Sequence, residues 1–285
     1  MSLLKIAIQK SGRLSEESLN LFKECGIKFN NGARKLKATS HNFPVEFLFL
    51  RDDDIPGYVE DGVADLGIIG QNVLIESGRE VDEIKPLGFS KCRLSLAVSR
   101  EANYEDISYF DGKGIATSYP VILEKFLKEQ KINAEIHEIS GSVEIAPGIG
   151  LAEGICDIVS SGSTLLSNGL KEVDVVMKSE ATMIANKKLS KDQRSLLDKV
   201  LFRIDSVLEG KNSKYVLLNA PNDKINSITK LLPGMRSPTV LPLAQEGWSS
   251  IHSVIHEDAF WENIEKLRAA GAEGILVVPI EKMIK

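Results

Sequence analysis

The sequence predicts an α/β protein of two similar lobes followed by a smaller C-terminal domain of mixed strands and helices. Three observations predict it. Short apolar runs alternate with helical patterns as far as residue 204, the rhythm of parallel α/β units. Residues 59–70 align without gaps on residues 151–162, so that Gly62, Asp65 and Gly70 fall on Gly154, Asp157 and Gly162, and the match runs on for about 16 positions. A polar, turn-like composition shift at 208–213 then opens a separate β-α-β-β-α-β run.

Composition sets the bounds. The 285 residues are 43% apolar and 26% charged, as in a globular protein large enough to fold without disulfides or metals. A net charge of −5 argues against nucleic acid as the main partner and leaves room for a small anion held by a few local cations. Cys25, Cys92 and Cys156 are far apart and form no CxxC pair, which suits reduced thiols. The opening residues lead directly into a strand pattern, and no apolar run approaches a membrane span of about 20 residues. A cytoplasmic protein with no membrane partner is the expectation.

In chain order, residues 3–8 form a strand that opens into Lys10, Ser11, Gly12 and Arg13. Ligands of open α/β sheets bind at the C-terminal ends of strands, so this cationic glycine loop is a candidate phosphate contact. A helix follows from Ser15, with acids in its first turn, and Gly26 stops it. Residues 45–50 form the next strand and end at Arg51, which is placed to point into a cleft. Asp52, Asp53 and Asp54 either bind a cation, although they lack the alternation of a calcium loop, or cap the helix that starts near Pro56, the preferred reading. The strand at 66–69 follows Asp65, and residues 87–98 read as one long strand passing between lobes. Within it Arg93 is either a cleft cation or a surface strand charge.

The second lobe repeats the plan, with a strand at 114–116, a small polar loop, a helix at 121–130 and a strand at 134–139. Glu144 follows another polar loop and is read at the start of a helix running to Gly154. It either orients a hydroxyl, sits near a metal, or is a first-turn acid. The central stretch comes next: a strand through Asp157, then Ser160, Ser161, Gly162, Ser163 and Thr164, then a helix start. Hydroxyls and backbone N–H groups converging at a helix N-terminus suit a phosphate, and the same residues also suit an ordinary capped turn. Strands at 173–178 and 182–185 return across the lobes, and a helix at 192–204 carries an apolar stripe. The last domain has strands at 215–220, 238–243, 251–255 and 274–279 and helices at 224–232 and 260–270, the ferredoxin-like order.

Nucleotide and hydrolase signatures (GxGxxG, GxxxxGK[ST], GxSxG, HExxH) are absent, and the four histidines are scattered. What remains is small-residue loops with isolated Arg, Lys and Asp around a cleft, which fits phosphate-bearing ligands and electrostatic catalysis. A two-lobed anion-binding regulator and a transferase acting on phosphorylated substrates both use such a site.

Residues 9–15 (QKSGRLS), 51–56 (RDDDIP), 65–70 (DLGIIG), 92–97 (CRLSLA), 115–120 (IATSYP), 141–147 (GSVEIAP), 153–170, 232–234 (LPG), 237–239 (SPT) and 278–283 (VPIEKM) resemble the ATP phosphoribosyltransferase family, in order along essentially the whole chain. The resemblance implies lobes like those of type II periplasmic binding proteins and a C-terminal regulatory domain, as in the long, histidine-regulated form. It places catalytic lobe I at 1–92 plus about 180–208, lobe II at 93–179 and the regulatory domain at 210–285. It implies transfer of the phosphoribosyl group of phosphoribosyl pyrophosphate (PRPP) to N1 of the adenine of ATP, with magnesium, as the first step of histidine biosynthesis. Carried onto this sequence, Asp157 takes the ribose hydroxyls and Ser160, Ser161, Gly162, Ser163 and Thr164 take the 5′-phosphate. Glu144 meets the sugar or its magnesium. Lys10, Ser11, Gly12, Arg13, Arg51 and Arg93 face ATP or pyrophosphate, and Asp65 meets the nucleotide. Catalysis falls to Glu144, Asp157 and Arg13, histidine binds the third domain with Thr239 as a contact, and dimers assemble into hexamers.

Overall fold

A computed structural model describes residues 3–30, 36–232, 234 and 237–284; Met1, Ser2 and Pro233 of the stretches discussed above lie outside them. Two compact units divide within the first helix and again near Leu197. The first contains both lobes.

Lobe I begins with β1 (Leu4–Gln9), α1 (Arg13–Glu24), β2 (Lys37–Thr39), β3 (Val45–Leu50), α2 (Ile55–Glu60), β4 (Leu66–Gly70), α3 (Gln71–Ser77) and β5 (Asp82–Pro86). Lobe II holds β6 (Cys92–Ser99), β7 (Gly114–Thr117), α4 (Pro120–Gln130), β8 (Glu135–Glu138), β9 (Gly154–Val159), α5 (Ser163–Ser167) and β10 (Leu170–Ser179). The chain then returns as β11 (Ala181–Ala185). The first sheet has the order β2-β3-β1-β4-β11-β5 and the second β10-β6-β9-β7-β8. In each, three neighbouring strands run parallel. In each, an antiparallel strand fed from the other lobe flanks them: β11 beside β4, and β6 beside β9.

The central parallel strands β4 and β7 are buried along nearly their whole length and read as short apolar runs, whereas β3 alternates buried and half-buried residues and the edge strand β8 is partly exposed. Leu4, Ile6, Ala7 and Ile8 of β1 are fully buried, as are Ile115 and Ala116 of β7. Helix α2 packs Ile55 and Val59 against Ala7, Ile69 and Ile184. Gly67 leaves room for that packing, because a Cβ there would lie 2.7 Å from the Ile55 side chain.

Three sequence expectations change. The stretch 87–98 is not one strand, because Gly88 at φ +79° and Ser90 at φ +50° turn the chain between β5 and β6. The helix expected from Ile145 to Gly154 is two 3-10 turns, Val143–Ile145 and Pro147–Ile149. Gly150, in the left-handed region at φ +74°, ends the second turn and breaks the helix. The gapless internal match aligns the two helix starts, Gly70 and Gly162, but not the strands before them. By that match Leu66 falls on Ile158, whereas β9 already begins at Gly154. Gly62 is a turn residue at φ +71°. Gly154 instead admits the Phe110 ring, which a Cβ would meet at 2.5 Å. The lobes share a topology, and the aligned residues do different jobs.

The second unit, taken by itself, holds the C-terminal part of α6 (Lys191–Lys211), then β12 (Ser213–Pro221), α7 (Ile225–Leu231), β13 (Thr239–Pro242), β14 (Trp248–His256), α8 (Glu257–Ala269) and β15 (Glu273–Pro279). Its all-antiparallel sheet has the order β13-β14-β12-β15, the ferredoxin-like arrangement the element order predicts. Val216, Leu218, Ile251, Ile255, Phe260 and Leu267 form its core. The tail locks onto α6, where Met283 N–H donates to the Ser206 carbonyl at 2.8 Å. Gly210 leaves no room for a side chain, with Ile280 and Lys282 backbone atoms 2.9 Å from its would-be Cβ.

Among the described residues no helix is long and apolar enough to cross a membrane. The three cysteines are free, and burial pushes the Cys25 thiol up to about 12.

Helix α4 starts without a side-chain cap from its own Tyr119. Glu76 of α3 supplies one from the other lobe, accepting the Val121 and Ile122 N–H groups at 2.9 and 3.0 Å. A carboxylate at a helix N-terminus satisfies orphan donors and meets the positive dipole end. Glu76→Ala is therefore expected to cost about 1 kcal/mol and to lower the melting midpoint by about 2–4 °C. A thermal scan that shows no shift would refute this cap.

Candidate functional site

The end of β9 builds the site. After Val159 the chain bends through Ser160, Ser161 and Gly162, and α5 starts at Ser163. Gly162 sits at φ +80° as the N-cap, a conformation glycine adopts without strain. The hydroxyls of Ser161 and Ser163 lie 3.0 Å apart, and Ser163 N–H donates to Ser161 Oγ at 3.4 Å. Glu144, Asp157, Ser160, Ser161, Gly162 and Thr164 surround one cavity of about 220 Å³. The 3-10 turn after Ser142, which itself sits at φ +50°, brings Glu144 there.

Asp157 is half-buried in β9 and accepts the Ile158 N–H at 2.7 Å. Burial raises its pKa, the Ile158 N–H opposes the rise, and the nearby Glu144 charge adds to it. Two carboxylates thus share a small cavity with a shell of hydroxyls and N–H groups. That set can hold sugar hydroxyls, a hard cation and a phosphate.

Ser160 borders a second cavity of about 440 Å³, around Gln71, Lys91, Arg93 and Lys178. Arg13, at the first turn of α1, donates to Ser160 Oγ at 3.2 Å and pairs with Glu17 at 3.5 Å. Its charge also acts on Cys92 of the same cavity. Lys10, Ser11 and Gly12 lie exposed after β1, and Lys10 N–H bonds the Leu50 carbonyl at 2.7 Å. Arg51 is exposed one residue beyond β3. Arg93 is paired with Glu172 and donates to the Ser160 carbonyl at 3.2 Å.

Asp65 is 6% exposed and precedes β4, at the end of the strand away from the helix starts. Its carboxylate accepts Lys5 N–H at 2.7 Å and Gln193 Nε2 at 2.5 Å. Five strand residues at about 3.3 Å each separate it from the loop side of the sheet, and it ties β1 to the start of β4.

Asp54 is the N-cap of α2 but makes no side-chain cap bond; Asp52–Asp54 form a 3-10 turn instead. Asp52 and Asp53 border a third cavity of about 450 Å³ with Glu76, Tyr119 and Glu138. Burial raises the pKa of Asp53, and its Asp52 and Asp54 neighbours add to the rise. Among the described residues no group of three or more His, Cys, Asp or Glu could hold a metal by itself. Tyr119 was not singled out by the sequence. Burial raises its phenol, and the Asp157, Asp52 and Asp53 charges add to the rise. Lys91 and Lys178 were also missed, since isolated lysines in strand-rich sequence carry no signal.

Thr239 opens β13, the edge strand of the third sheet, exposed and opposite His252. His252 bonds Tyr215 Oη and Ser250 Oγ, each at 3.0 Å.

A family model described as ATP phosphoribosyltransferase matches residues 51–206, and one described as HisG, C-terminal domain, matches 210–282. An ATP phosphoribosyltransferase of Cytophaga hutchinsonii is 58% identical over 284 residues, covering 100% of this chain and 99% of its own. One from Bacteroides fragilis is 59% identical over 282 residues, covering 99% and 100%. Among solved structures, the ATP phosphoribosyl transferase (HisG:HisZ) complex from Thermotoga maritima aligns at TM-score 0.59 and 27% identity, over 71% of this chain and 98% of that one.

The raised Asp157 pKa has a stability consequence. In the folded state the proton is held more tightly than at the ordinary value of about 3.9. Stability from this group is therefore intact below that value and falls as pH rises through the folded pKa. Asp157→Asn should raise the melting midpoint at pH 7 without substrates or magnesium, and the gain should shrink as pH approaches 4. A gain that is constant with pH, or a loss, would show that burial and the Glu144 charge do not govern this carboxyl.

Proposed function

The chain belongs to the ATP phosphoribosyltransferase family, and from that premise we propose that it joins the phosphoribosyl group of PRPP to adenine N1 of ATP and releases pyrophosphate. This is the first step of histidine biosynthesis. The observation that carries the reading is the cavity in which Glu144 and Asp157 face the Ser160–Thr164 loop, with Lys91, Arg93 and Lys178 in the cavity beyond Ser160.

The loop N–H groups and hydroxyls hold the 5′-phosphate, and Asp157 accepts from the ribose hydroxyls. The N1 lone pair forms a bond to the anomeric carbon as the carbon–oxygen bond to pyrophosphate breaks. Positive charge develops on the sugar, and the Asp157 and Glu144 carboxylates lie where they oppose it. Arg13, Lys91 and Lys178 balance the charge of the departing pyrophosphate. Lys10 and Arg51, exposed at the ends of β1 and β3, are assigned to the ATP phosphates, and holding both substrates in one orientation supplies the rest.

Magnesium fits this site. Glu144 and Asp157 are hard oxygen donors facing one cavity, burial and then the Glu144 charge raise the Asp157 pKa, and phosphate oxygens complete what two carboxylates begin. When bound, the ion neutralises phosphate charge and polarises the leaving group. Residues 1–92 with about 180–208, 93–179 and 210–285 are assigned as catalytic lobe I, catalytic lobe II and the regulatory domain. Histidine bound to that last domain, with Thr239 in contact, inhibits the reaction by coupling between sites in a dimer or hexamer. The cytoplasm, where ATP is plentiful, is the assigned compartment.

Purified protein with ATP, PRPP, magnesium and pyrophosphatase should form phosphoribosyl-ATP, followed by its absorbance, and histidine should suppress it. Binding of PRPP without turnover would replace this reading with a non-catalytic anion-binding one. Ser160→Ala with Thr164→Ala should raise the PRPP KM about tenfold, the worth of about one hydrogen bond to a charged group. An unchanged KM would remove the loop from the phosphate. Thr239→Ala should need more histidine for half-inhibition and leave uninhibited turnover intact; an unaltered inhibition curve would exclude Thr239 as a contact.

A further inference from the structure

The loop after β9 is gripped from outside by a cluster that the proposed chemistry does not use. Arg93 Nε and Nη2 each lie 2.5 Å from an oxygen of Glu172 in β10. Ser95, fully buried and two residues along β6, donates to the same carboxylate at 2.8 Å. The remaining terminal nitrogen of Arg93, Nη1, donates to the Ser160 carbonyl at 3.2 Å. The register of β10 against β6 shifts between Glu172 and Asp174, and such a bulge re-aims a side chain beside a functional site.

Two consequences follow. The Arg93 charge is compensated by Glu172, and the pairing lowers the Glu172 carboxyl below its ordinary value. Arg93, which the resemblance has facing ATP or pyrophosphate, is also held against the loop through the Ser160 carbonyl. The planar fork of a guanidinium, fixed on one carboxylate, also fixes the direction of its last donors. A trans peptide points its C=O and the next N–H in opposite directions. Holding the Ser160 C=O against Arg93 thus turns the Ser161 N–H away from Arg93.

We propose that Glu172 is a positioning residue for the reaction: it fixes Arg93, Arg93 fixes the peptide between Ser160 and Ser161, and that peptide presents its N–H to the phosphate of PRPP. This rests on the reading of the Ser160–Thr164 loop as the phosphate cradle.

Glu172→Gln keeps the volume, removes the charge and turns an amide donor toward Arg93. The PRPP KM should rise about tenfold, the loss of about one charge-assisted hydrogen bond, while the ATP KM and the melting midpoint stay near those of the parent. Glu172→Asp should recover part of the loss. Arg93→Lys, which keeps the charge and loses the fork, should also raise the PRPP KM. Arg93→Ala combined with Glu172→Gln should be no worse than Arg93→Ala alone, because one group acts through the other. An unchanged PRPP KM in Glu172→Gln, an equal loss for both substrates with a lowered midpoint, or additive losses in the double variant would each overturn the proposal. Ser160→Ala with Thr164→Ala is the control. If it leaves the PRPP KM unchanged, the cradle reading fails and takes this proposal with it. If it responds and Glu172→Gln does not, only the positioning role of Glu172 is lost.

Discussion

The two-lobed unit depends on a pair of chain crossings that hydrogen-bond to each other. Leu87 N–H donates to the Ala181 carbonyl at 2.8 Å, and Ala181 N–H donates to the Phe89 carbonyl at 3.0 Å. One crossing leads from β5 into β6 and the other from β10 into β11. Each delivers the antiparallel strand that flanks the three parallel strands of the lobe it enters. Neither sheet is complete without chain from the other side. A slip of one crossing would leave unpaired N–H and C=O groups in both sheets, and buried unpaired groups are costly.

That constraint explains why the loop after β9 can be held from two directions. Arg13, on the helix after β1, takes the Ser160 hydroxyl; Arg93, on the strand that has just crossed, takes the Ser160 carbonyl. Glu76 closes the same unit elsewhere by capping α4 from the other lobe. These contacts join groups whose placement follows from topology, not from nearness in sequence. The loop itself is only hydroxyls and a glycine, with little apolar area to anchor it, so polar clasps must define its shape.

This also accounts for what the sequence could and could not reveal. The strands at 4–9 and 45–50 were legible because every second position is a buried apolar residue, Leu4, Ile6 and Ile8 in one and Val45, Phe47 and Phe49 in the other. The cavity formed by Glu144, Asp157 and Ser160–Thr164 was legible because a strand, a small-residue loop and a helix start are local. The turn at Gly88–Ser90 was not, since Cys92-Arg93-Leu94-Ser95 continues a strand pattern past it. The apolar spacing of Ile145, Ile149 and Ala152 imitates a helix, and the left-handed turn at Gly150 breaks it. The different surroundings of Asp65 and Asp157 were not legible, because a gapless match equates positions while a strand offset moves them to opposite ends of their sheets. Glu172 could not be singled out at all, as its partners lie 79 and 77 positions away.

The electrostatics of the site complete the account. The chain is acidic overall, at −5, yet Lys91, Arg93 and Lys178 gather around one cavity, and Glu144 and Asp157 face the next. Burial raises the Asp157 pKa and the Glu144 charge adds to the rise, while Lys91 and Lys178 stand exposed around the cavity that Arg93 and Glu180 also line. A molecule with an anionic end and a hydroxyl-bearing ring answers both at once: phosphates meet the cations, and ring hydroxyls and any accompanying cation meet the carboxylates. Net charge sets solubility and long-range attraction, whereas the ordering of opposite charges over two adjoining cavities sets which ligand is oriented. Groups kept unfavourable in the free protein are those from which a bound ligand gains most, which is how a site can be costly to the fold and effective in chemistry.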